Sequence, residues 1–392
     1  MNEKVGLVVK NAFQSSGAKV SVAYSGFCGR SGVNEYHITI VPEKYDCISN
    51  QIEWIQESYK KLLEKLNLKL DSCVFRRFFF SDLANQHQYI KTHSLLNEAQ
   101  NNCATSIISQ PPGPDAKIAM WAYHIFDGGS LNFSDNGLAR RKTIHFWDTN
   151  IACPEWKTVY QQTEGVLLKY KNICEKRKMR ISENLIRTWF FVQDIDTNYK
   201  EFVEARKKIF AENGLTSETH FVASTGVEGA STDVRAKISM DAYSIFGIEQ
   251  KQVQFLVAPE YISPTYVYGV TFERGTVIHY SDRRHILISG TASINNKGEI
   301  VHQGNLIKQF DHTLKNIEVL LKQAGANFEN VCVFIVYVRD ITDAGVIRQE
   351  MKNRFGNIPC LVTWSKVCRP GWLVEIECQA ISDQHNNNFP EF

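Results

Sequence analysis

Apolar residues recur every three or four positions in two stretches of the chain, which predicts two long amphipathic helices. The first apolar face comprises Ile52, Ile55, Tyr59, Leu62, Leu63 and Leu66. The second comprises Leu306, Phe310, Leu314, Ile317 and Leu321. Gly325 follows the second stretch at a position where a left-handed cap commonly ends a helix. Each helix is expected to lie with its apolar face against a sheet.

Three apolar segments rich in aromatic residues predict strands, and each of them ends in an acidic turn. They read VFRRFFFSDL (74–83), IRTWFFVQDI (186–195) and VFIVYVRDI (333–341). Apolar and other side chains alternate over 116–120, which predicts a further strand. Opening strands are expected at 36–41, 143–147 and 285–289. Each unit should therefore contain a strand or hairpin, a long helix, a strand, a second helix and a final strand.

An internal repeat supports this division into units. Residues 116–126 read AKIAMWAYHIF and residues 236–246 read AKISMDAYSIF, with eight of eleven positions identical. A third, more diverged copy is expected near the C-terminus. We predict an α+β fold of three tandem units, each a mixed sheet with two helices on one face. Packing around a pseudo-threefold axis would bury the other sheet faces within a monomer, as an intramolecular pseudo-trimer.

The expected boundaries fall where the composition changes. A stretch rich in Gly, Ser, Asp and Asn covers 127–142, and a second boundary is expected near 248–280. The predicted domains are 1–126, 127–247 and 280–392, with a linker at 248–279 that contributes to a pocket.

Composition and charge narrow the classes of function. At about 150 residues per domain, 392 residues suggest two to three domains. The formal net charge is +2 without an extended basic stripe, which gives no support to nucleic-acid binding. Without a signal peptide or a run of about 18 apolar residues, a soluble cytoplasmic protein is expected. The ten cysteines include no Cys-x-x-Cys pair and the histidines show no zinc-type spacing, so reduced thiols and no metal site are expected.

The final strand of the third copy carries two acidic residues. Glu375 and Glu377 point to one face of this strand, and the apolar residues beside them point to the other. At the matching positions the first two copies have lysines (Lys117 and Lys237) for Glu375 and small residues (Ala119 and Ser239) for Glu377. The change suggests one specialised pocket between units, with the lysines pointing into the other two clefts. The alternative is that both glutamates are exposed charges on a solvated face.

Several segments of the third copy belong to one pattern. They are HILISGTASINNKGEIV (285–301), NLIKQFDHTLKNIEVLLKQAGANFENV (305–331), VYVRDITD (336–343), IPCLVTW (358–364) and VEIECQAI (374–381). Together they resemble the reactive-intermediate deaminase (YjgF-type) superfamily, whose fold the chain is therefore expected to share.

The position of one arginine distinguishes the imine-hydrolysing members of that superfamily. In them, an arginine two residues after a proline holds the substrate carboxylate. Leu361 takes that place here, Ser224 takes it in the second copy, and the first copy has no arginine around Ser109 and Gln110. Leucine cannot form a bidentate clamp on a carboxylate. Generic imine deaminase activity is therefore disfavoured.

A second set of motifs occurs in order along residues 184–382. It comprises Arg187-Thr188-Trp189, Ala223-Ser224-Thr225-Gly226, Tyr268-Gly269, Phe272-Glu273-Arg274, Ile288-Ser289-Gly290-Thr291-Ala292-Ser293, His302-Gln303-Gly304, Cys368-Arg369 and Leu373-Val374-Glu375-Ile376-Glu377. The set resembles the chorismatase branch of the superfamily, sometimes labelled pteridine-dependent dioxygenase-like. The sequence departs from that branch at Val222, where a proline is expected, in YVYGVTFERG (266–275), and in the additional unit 1–126.

This resemblance implies cleavage of the enolpyruvyl ether of chorismate, which releases pyruvate and a cyclohexadiene diol or a hydroxybenzoate. It implies Glu375 as the general acid, because burial and a second carboxylate keep a glutamate protonated near neutral pH. Cys368 is expected to face the same pocket and to favour 3-hydroxybenzoate. Arg274 is the first candidate for binding a substrate carboxylate, followed by Arg187 and Arg369.

Further substrate-binding residues follow from the same resemblance. Residues 223–226 are expected to form a close-approach turn whose backbone N–H groups hold a carboxylate. The full set is Ala223, Ser224, Thr225, Gly226, Tyr268, Ser289 and Gly290. No metal or organic cofactor is expected, because acid, water and electrostatics suffice. The expected partner is a small aromatic-pathway carboxylic acid, not nucleic acid or membrane, and the protein is expected to be a monomer or a low-order homo-oligomer.

Two other functions stay open from the sequence. One is an enzyme acting on a different small acid, including imines, which would release ammonia from an amino-acid-derived imine. The other is a non-catalytic ligand-binding or scaffold protein, which would bind an aromatic acid tightly without turnover. A ribonuclease role has no support in the net charge.

Overall fold

Three six-stranded mixed sheets, each covered by helices on one face, form the computed structural model of the chain. The structure describes residues 5–13, 19–97, 103–129 and 133–392. We refer to each sheet and its helices as the first, second and third unit. Within the described residues, no helix combines the length and the apolar character needed to cross a membrane.

The first sheet has the strand order β1-β2-β3-β6-β4-β5. Its strands are β1 (Val8–Ala12), β2 (Val20–Cys28), β3 (Asn34–Pro42), β4 (Cys73–Phe80), β5 (Ala104–Ser109) and β6 (Ile118–Phe126). Its helices are α1 (Ile48–Leu66), α2 (Leu83–Gln86) and α3 (Gln88–Thr92). Only β4 and β5 pair in parallel, and the other neighbours are antiparallel.

The second and third sheets repeat this plan. In the second, the order is β11-β10-β12-β9-β8-β7, with β7 (Phe133–Ser134), β8 (Gly137–Arg140), β9 (Thr143–Ala152), α4 (Val159–Lys176), α5 (Ile181–Asn184), β10 (Leu185–Val192), α6 (Ile195–Glu212), β11 (Ala223–Glu228) and β12 (Ile238–Phe246). In the third, the order is β13-β14-β15-β18-β16-β17, with β13 (Val253–Phe255), β14 (Gly275–His279), β15 (Arg283–Ala292), α7 (Leu306–Gln323), β16 (Val331–Val338), α8 (Ala344–Phe355), β17 (Cys360–Trp364) and β18 (Val374–Asp383).

The helices and strands predicted from the apolar pattern are confirmed. Gly325 follows α7 with a positive φ of 69°, and the next amide, that of Ala326, bonds the Leu321 carbonyl at 2.8 Å. The predicted unit lacked one element, because β5, β11 and β17 each add an edge strand parallel to the preceding strand. The segment 248–279, predicted to be a linker, supplies β13 and β14 of the third sheet.

The three sheets bury their helix-free faces against one another. Each sheet forms an outer core with its own helices. A fourth, central core takes aromatic residues from all three units, including Trp121, Trp189 and Tyr337. The edge strands complete the arrangement, since β5 contacts β9, β11 contacts β15 and β17 contacts β3. The predicted pseudo-threefold packing within one chain is therefore confirmed.

The predicted correspondence between the copies was wrong by two residues. Across each sheet, Phe79 pairs with Ala119, Phe191 with Ser239 and Tyr337 with Glu375. Glu375 therefore corresponds to Ala119 and Ser239, and Glu377 corresponds to Trp121 and Asp241. A shift of two keeps a side chain on the same face of a strand, so the alternating pattern cannot detect it.

Neither lysine occupies a position equivalent to that of an acidic residue. Lys117 precedes β6, and its Nζ lies 5.2 Å from the centre of the Tyr45 ring. Lys237 precedes β12, and its backbone N–H donates to Gln162. The prediction that they occupy the two other clefts is therefore not supported by the register.

A buried ion pair crosses each of the three interfaces between units. Its members are Arg77 and Asp241 at 2.7 Å, Arg187 and Glu377 at 2.6 Å, and Arg283 and Glu35 at 2.5 Å. All six side chains are at most 5% exposed. Removing one partner of such a pair leaves the other charge buried and unpaired in a region of low polarity.

We expect Asp241→Ala to lower the free energy of unfolding by about 3–5 kcal/mol, because it leaves the Arg77 guanidinium buried and uncompensated. Urea denaturation of the full chain measures this. Asp196→Ala is the control: Asp196 also bridges two units, through Arg339, but is one-third exposed, so about 1 kcal/mol or less is expected. Equal losses in the two variants would contradict the assignment.

Candidate functional site

A narrow cleft lies between the second and third units, with a cavity volume of about 30 Å³. Its walls come from α6, β11, β15, β18 and the loops before β14 and β18. The lining residues are Tyr199, Phe202, Arg206, Ser224, Gly226, Tyr268, Phe272, Arg274, Gly290, Ala292, Ile294, Cys368, Trp372 and Glu375. Aromatic rings, two guanidinium groups and a carboxyl group therefore face one space.

Glu375 is the acidic residue of this cleft. It lies on β18 opposite Ala292 of β15, and only 4% of it is exposed. Its carboxyl accepts no hydrogen bond from the described residues. Burial, reinforced by the nearby charge of Glu377, raises the pKa of Glu375 to about 8, although Arg274 and Arg187 oppose the shift. The carboxyl is consequently protonated near neutral pH and faces an open space.

Gly290 makes room for that carboxyl. A β-bulge interrupts the pairing of β15 with β18 between Ile288 and Thr291. A Cβ atom at Gly290 would lie 2.0 Å from Oε1 of Glu375, so no side chain fits there while Glu375 keeps its position. The amide of Gly290 donates to Oγ1 of Thr225 at 3.0 Å, which ties the bulge to β11.

The equivalent position between the first and second units is filled. There β9 has the same bulge, and Asn150 corresponds to Gly290. The Asn150 side chain donates to the Thr105 carbonyl at 2.7 Å and accepts from the Ile107 amide at 2.9 Å. An asparagine therefore bridges β9 to β5 where the glycine leaves a cleft.

Glu377, two residues along β18, has the opposite environment. Arg187 Nη2 lies 2.6 Å from its Oε2, Trp189 Nε1 donates to its Oε1 at 2.9 Å, and the Thr225 hydroxyl also donates to it. These donors hold the Glu377 carboxylate in a fixed position. The two glutamates are therefore one anchored carboxylate and one unanchored acid.

Two of the arginines predicted to bind substrate do not line the cleft. Arg187 is committed to Glu377. Arg369 donates to the Gly298 carbonyl at 3.1 Å and lies against the rings of Tyr268 and Trp372. Partners distant in sequence, which a local motif does not reveal, already occupy these guanidinium groups.

Arg274 does line the cleft. Its Nε and Nη2 donate to the Ser263 carbonyl, and Nη2 also donates to the Tyr268 hydroxyl at 2.8 Å. No carboxylate of the described residues pairs with it, and its Nη1 makes no hydrogen bond with them. One edge of this buried guanidinium is therefore available to an anion.

Arg206 is a second cation of the cleft that the sequence analysis missed. It lies on α6, donates through Nε to Thr271 Oγ1 at 3.0 Å and stacks over Phe202. Burial lowers its pKa, and no carboxylate of the described residues pairs with it. The signal was helical spacing: Tyr199, Phe202 and Arg206 share the buried face of α6, where an arginine is unusual.

The turn predicted at 223–226 was wrong, because these residues belong to β11, which pairs with β10. The Ser224 amide donates to Ser289 Oγ at 3.0 Å and is not available to a ligand. Ser224 and Gly226 line the cleft, whereas Ala223, Thr225 and Ser289 lie behind its wall.

Cys368 lines the cleft beside Tyr199. Burial, assisted by the charge of Glu375, raises the pKa of the Cys368 thiol to about 12. At neutral pH it is therefore a neutral group that shapes the cleft and not a nucleophile. In the part of the chain that the structure describes, no group of three His, Cys, Asp or Glu side chains could hold a metal ion.

Comparisons with known proteins found a matching family model, similar sequences and a similar crystal structure. A family model described as Endoribonuclease L-PSP matches residues 276–382. The 2-iminobutanoate/2-iminopropanoate deaminase of Mus musculus is 33% identical over 101 residues, which cover 25% of this chain and 74% of that protein. The 3-hydroxybenzoate synthase of Streptomyces hygroscopicus is 25% identical over 238 residues, which cover 55% of this chain and 68% of that protein. The crystal structure of a chorismatase superposes with a TM-score of 0.59 and 18% identity over 79% of this chain and 93% of that one.

The pKa of Glu375 predicts a pH dependence of stability. Because the pKa rises from 4.5 to about 8 on folding, the folded chain holds a proton that the unfolded chain lacks in that interval. The free energy of unfolding should therefore decrease as pH rises from about 5 to about 8, and Glu375→Gln should remove this component. Urea denaturation at several pH values measures it.

Glu218→Gln, which changes an exposed carboxylate, serves as the control and should keep the wild-type slope. Parallel curves for wild type and Glu375→Gln would contradict a protonated Glu375.

Proposed function

The chain belongs to the reactive-intermediate deaminase (YjgF-type) superfamily, in a tandem chorismatase-type form, and we propose that it cleaves the enolpyruvyl ether of chorismate or of a close relative. The observation that carries this proposal is Glu375, a protonated carboxyl that faces a cleft with two available guanidinium groups. An enol ether reacts only slowly without a positioned acid, and this cleft supplies one.

Glu375 is proposed to donate its proton to the terminal methylene carbon of the enol ether. The carbon attached to the ether oxygen becomes an oxocarbenium centre, and the new Glu375 carboxylate lies close enough to balance its charge. Attack on that centre and cleavage of the ether C–O bond release pyruvate. With water as the attacking group, the bond between that centre and the ether oxygen breaks, and the second product is a dihydroxycyclohexadiene carboxylate. With the ring hydroxyl, a cyclic ketal forms first; the ring carbon–oxygen bond of the former hydroxyl then also breaks and the neighbouring ring carbon loses its proton, so the second product is a hydroxybenzoate and no water is consumed.

The two guanidinium groups suit a substrate with two carboxylates. Arg274 offers Nη1, and Arg206 offers the edge that does not bond Thr271. Charge-assisted hydrogen bonds to guanidinium hold a carboxylate in a fixed orientation. Phe202, Phe272 and Trp372 supply flat apolar walls for the ring.

We propose 3-hydroxybenzoate as the aromatic product. Cys368 occupies the wall of the cleft with a neutral thiol, which leaves less space for a water molecule than a smaller residue would. A relative of 25% identity that carries the name 3-hydroxybenzoate synthase supports the same choice. The proposed steps use protein groups only and need no metal or organic cofactor.

None of the described residues of the first unit lines the cleft. We propose that this unit acts as the third wall of the central core, which covers the inner faces of the other two sheets.

Imine hydrolysis is the second candidate, because the deaminase relatives match the third unit. Leu361 disfavours it: this residue is fully buried in the central core and supplies no cation.

Incubation of the purified chain with chorismate tests the proposal. We expect stoichiometric pyruvate and an aromatic acid, which chromatography identifies. Glu375→Gln should lower kcat by roughly 10²–10⁴-fold, because it removes the general acid. The wild-type rate should fall as pH rises past about 8, where Glu375 loses its proton.

Glu218→Gln is the control and should keep full turnover. The absence of pyruvate from wild type, or an active Glu375→Gln variant, would refute the function.

The guanidinium roles have a separate test. Arg206→Met and Arg274→Met should each raise KM for chorismate roughly tenfold to a hundredfold, since each loses a charge-assisted contact with a carboxylate. Arg369→Met should change KM much less, because Arg369 does not line the cleft. The reverse order, with Arg369 dominant, would show that the substrate lies elsewhere.

A further inference from the structure

We infer that Cys73 and Cys103, in the first unit, form an oxidisable dithiol that a peroxide converts to a disulfide. Nothing in the proposed cleavage reaction uses these residues. The site lies under the first sheet, whereas the cleft lies between the second and third units.

The geometry already brings the two sulfur atoms together. Cys73 begins β4 and Cys103 immediately precedes β5, and these strands are parallel neighbours with Phe75 opposite Ala104. The two Sγ atoms are 3.5 Å apart. Closing this gap to an S–S bond requires a movement of roughly 1.5 Å. All ten cysteines lie in the described part of the chain and are free thiols there.

Arg76 gives this pair its chemical character. Its side chain is fully buried, and its Nε and Nη1 have no hydrogen-bond partner among the residues that the structure describes. Nη2 has one long contact, 3.5 Å to Thr105 Oγ1. No carboxylate of the described residues pairs with it, and a buried guanidinium needs a counter-charge. The acidic group that stands beside it is the thiol of Cys103.

The other polar groups near Arg76 do not supply the counter-charge that its guanidinium needs. Nε2 of His124 is hydrogen-bonded to the Tyr59 hydroxyl at 2.6 Å, and its Nδ1 is hydrogen-bonded to the Ser72 hydroxyl at 2.8 Å. Burial and the Arg76 charge lower the pKa of His124 to about 3, so it is neutral. Burial also raises the pKa of Tyr59 far above its ordinary value. Neither group supplies an anion to Arg76.

The two thiols differ in acidity. Burial raises the pKa of the Cys103 thiol, but the hydrogen bond with Cys73 and the Arg76 charge outweigh it and lower that pKa below its ordinary value. Burial raises the pKa of Cys73 well above its ordinary value. Cys103 is thus the sulfur that attacks first, and Cys73 is the one that resolves the product.

The reaction balances with hydrogen peroxide as the oxidant. The Cys103 thiolate attacks one peroxide oxygen; an S–O bond forms, the O–O bond breaks, and hydroxide leaves. Cys73 sulfur then attacks the sulfenic sulfur of Cys103; the S–S bond forms, the S–O bond breaks, and water leaves with the Cys73 proton. Two thiols are oxidised and one peroxide is reduced to two water molecules.

The disulfide would fix the start of the strand that joins two units. Thr105, two residues after Cys103, accepts hydrogen bonds through its carbonyl from Thr149 at 3.0 Å and Asn150 at 2.7 Å of the second unit. The bond closes a loop between residues 30 positions apart, which restricts the unfolded chain. Oxidation should therefore raise the melting temperature.

The test is peptide mapping of the full chain after treatment with hydrogen peroxide, alkylation of the remaining thiols and digestion without reductant. We expect one linked peptide pair that contains Cys73 and Cys103 and that dithiothreitol separates, together with a higher melting temperature. Arg76→Met should slow the oxidation roughly tenfold, because the Cys103 thiolate fraction falls once its pKa returns towards about 8.5.

Two cysteine variants complete the design. Cys174→Ser removes an equally buried thiol of the second unit and should leave the link intact. Cys73→Ser should leave Cys103 as a sulfenic acid that dimedone traps. Full alkylation of both thiols after peroxide, a link from Cys103 to another cysteine, or oxidation of Cys103 no faster than that of Cys174 overturns the inference. The wild-type map decides even if a variant fails to fold.

Discussion

Every sheet of this protein has one face that its own helices cannot cover, and the need to bury those three faces against each other governs the rest of the structure. The central core that results excludes water, so a charge placed in it requires a partner. The interfaces meet this requirement with the Arg77–Asp241, Arg187–Glu377 and Arg283–Glu35 pairs. Glu375 shares this buried environment but has no such partner, and it stays protonated instead.

The contrast between Glu375 and Glu377 shows how the same residue type acquires two roles on one strand. Both are buried, and both point away from the helices. Arg187, Trp189 and the Thr225 hydroxyl surround Glu377 with donors, whereas Glu375 meets the gap left by Gly290. The anchored carboxylate helps to keep its neighbour neutral. Acidity at this site is therefore a property of the interface between two units and not of β18 alone.

The apolar pattern predicted the helices, the principal strands and the threefold packing, because each follows from local periodicity and from the need to cover a sheet face. The sequence, through its acidic final strand and its resemblance to the chorismatase branch, also singled out Glu375 and Arg274. It failed where a partner distant in sequence decides: Glu377 engages Arg187, Ser289 takes the Ser224 amide, and the pairing across β18 sets the correspondence between copies. Arg206 was missed because the search for cations followed motifs and not the buried face of α6.

The three units share one chain, which separates this protein from a symmetric trimer of identical subunits. In such a trimer any substitution appears at three places at once, so a gain at one boundary is imposed on the others. Here Gly290 and Asn150 could diverge at equivalent bulges without affecting each other. Gene duplication thus relaxed the symmetry, and selection could specialise one boundary for reactivity while another was recruited to hold the molecule together.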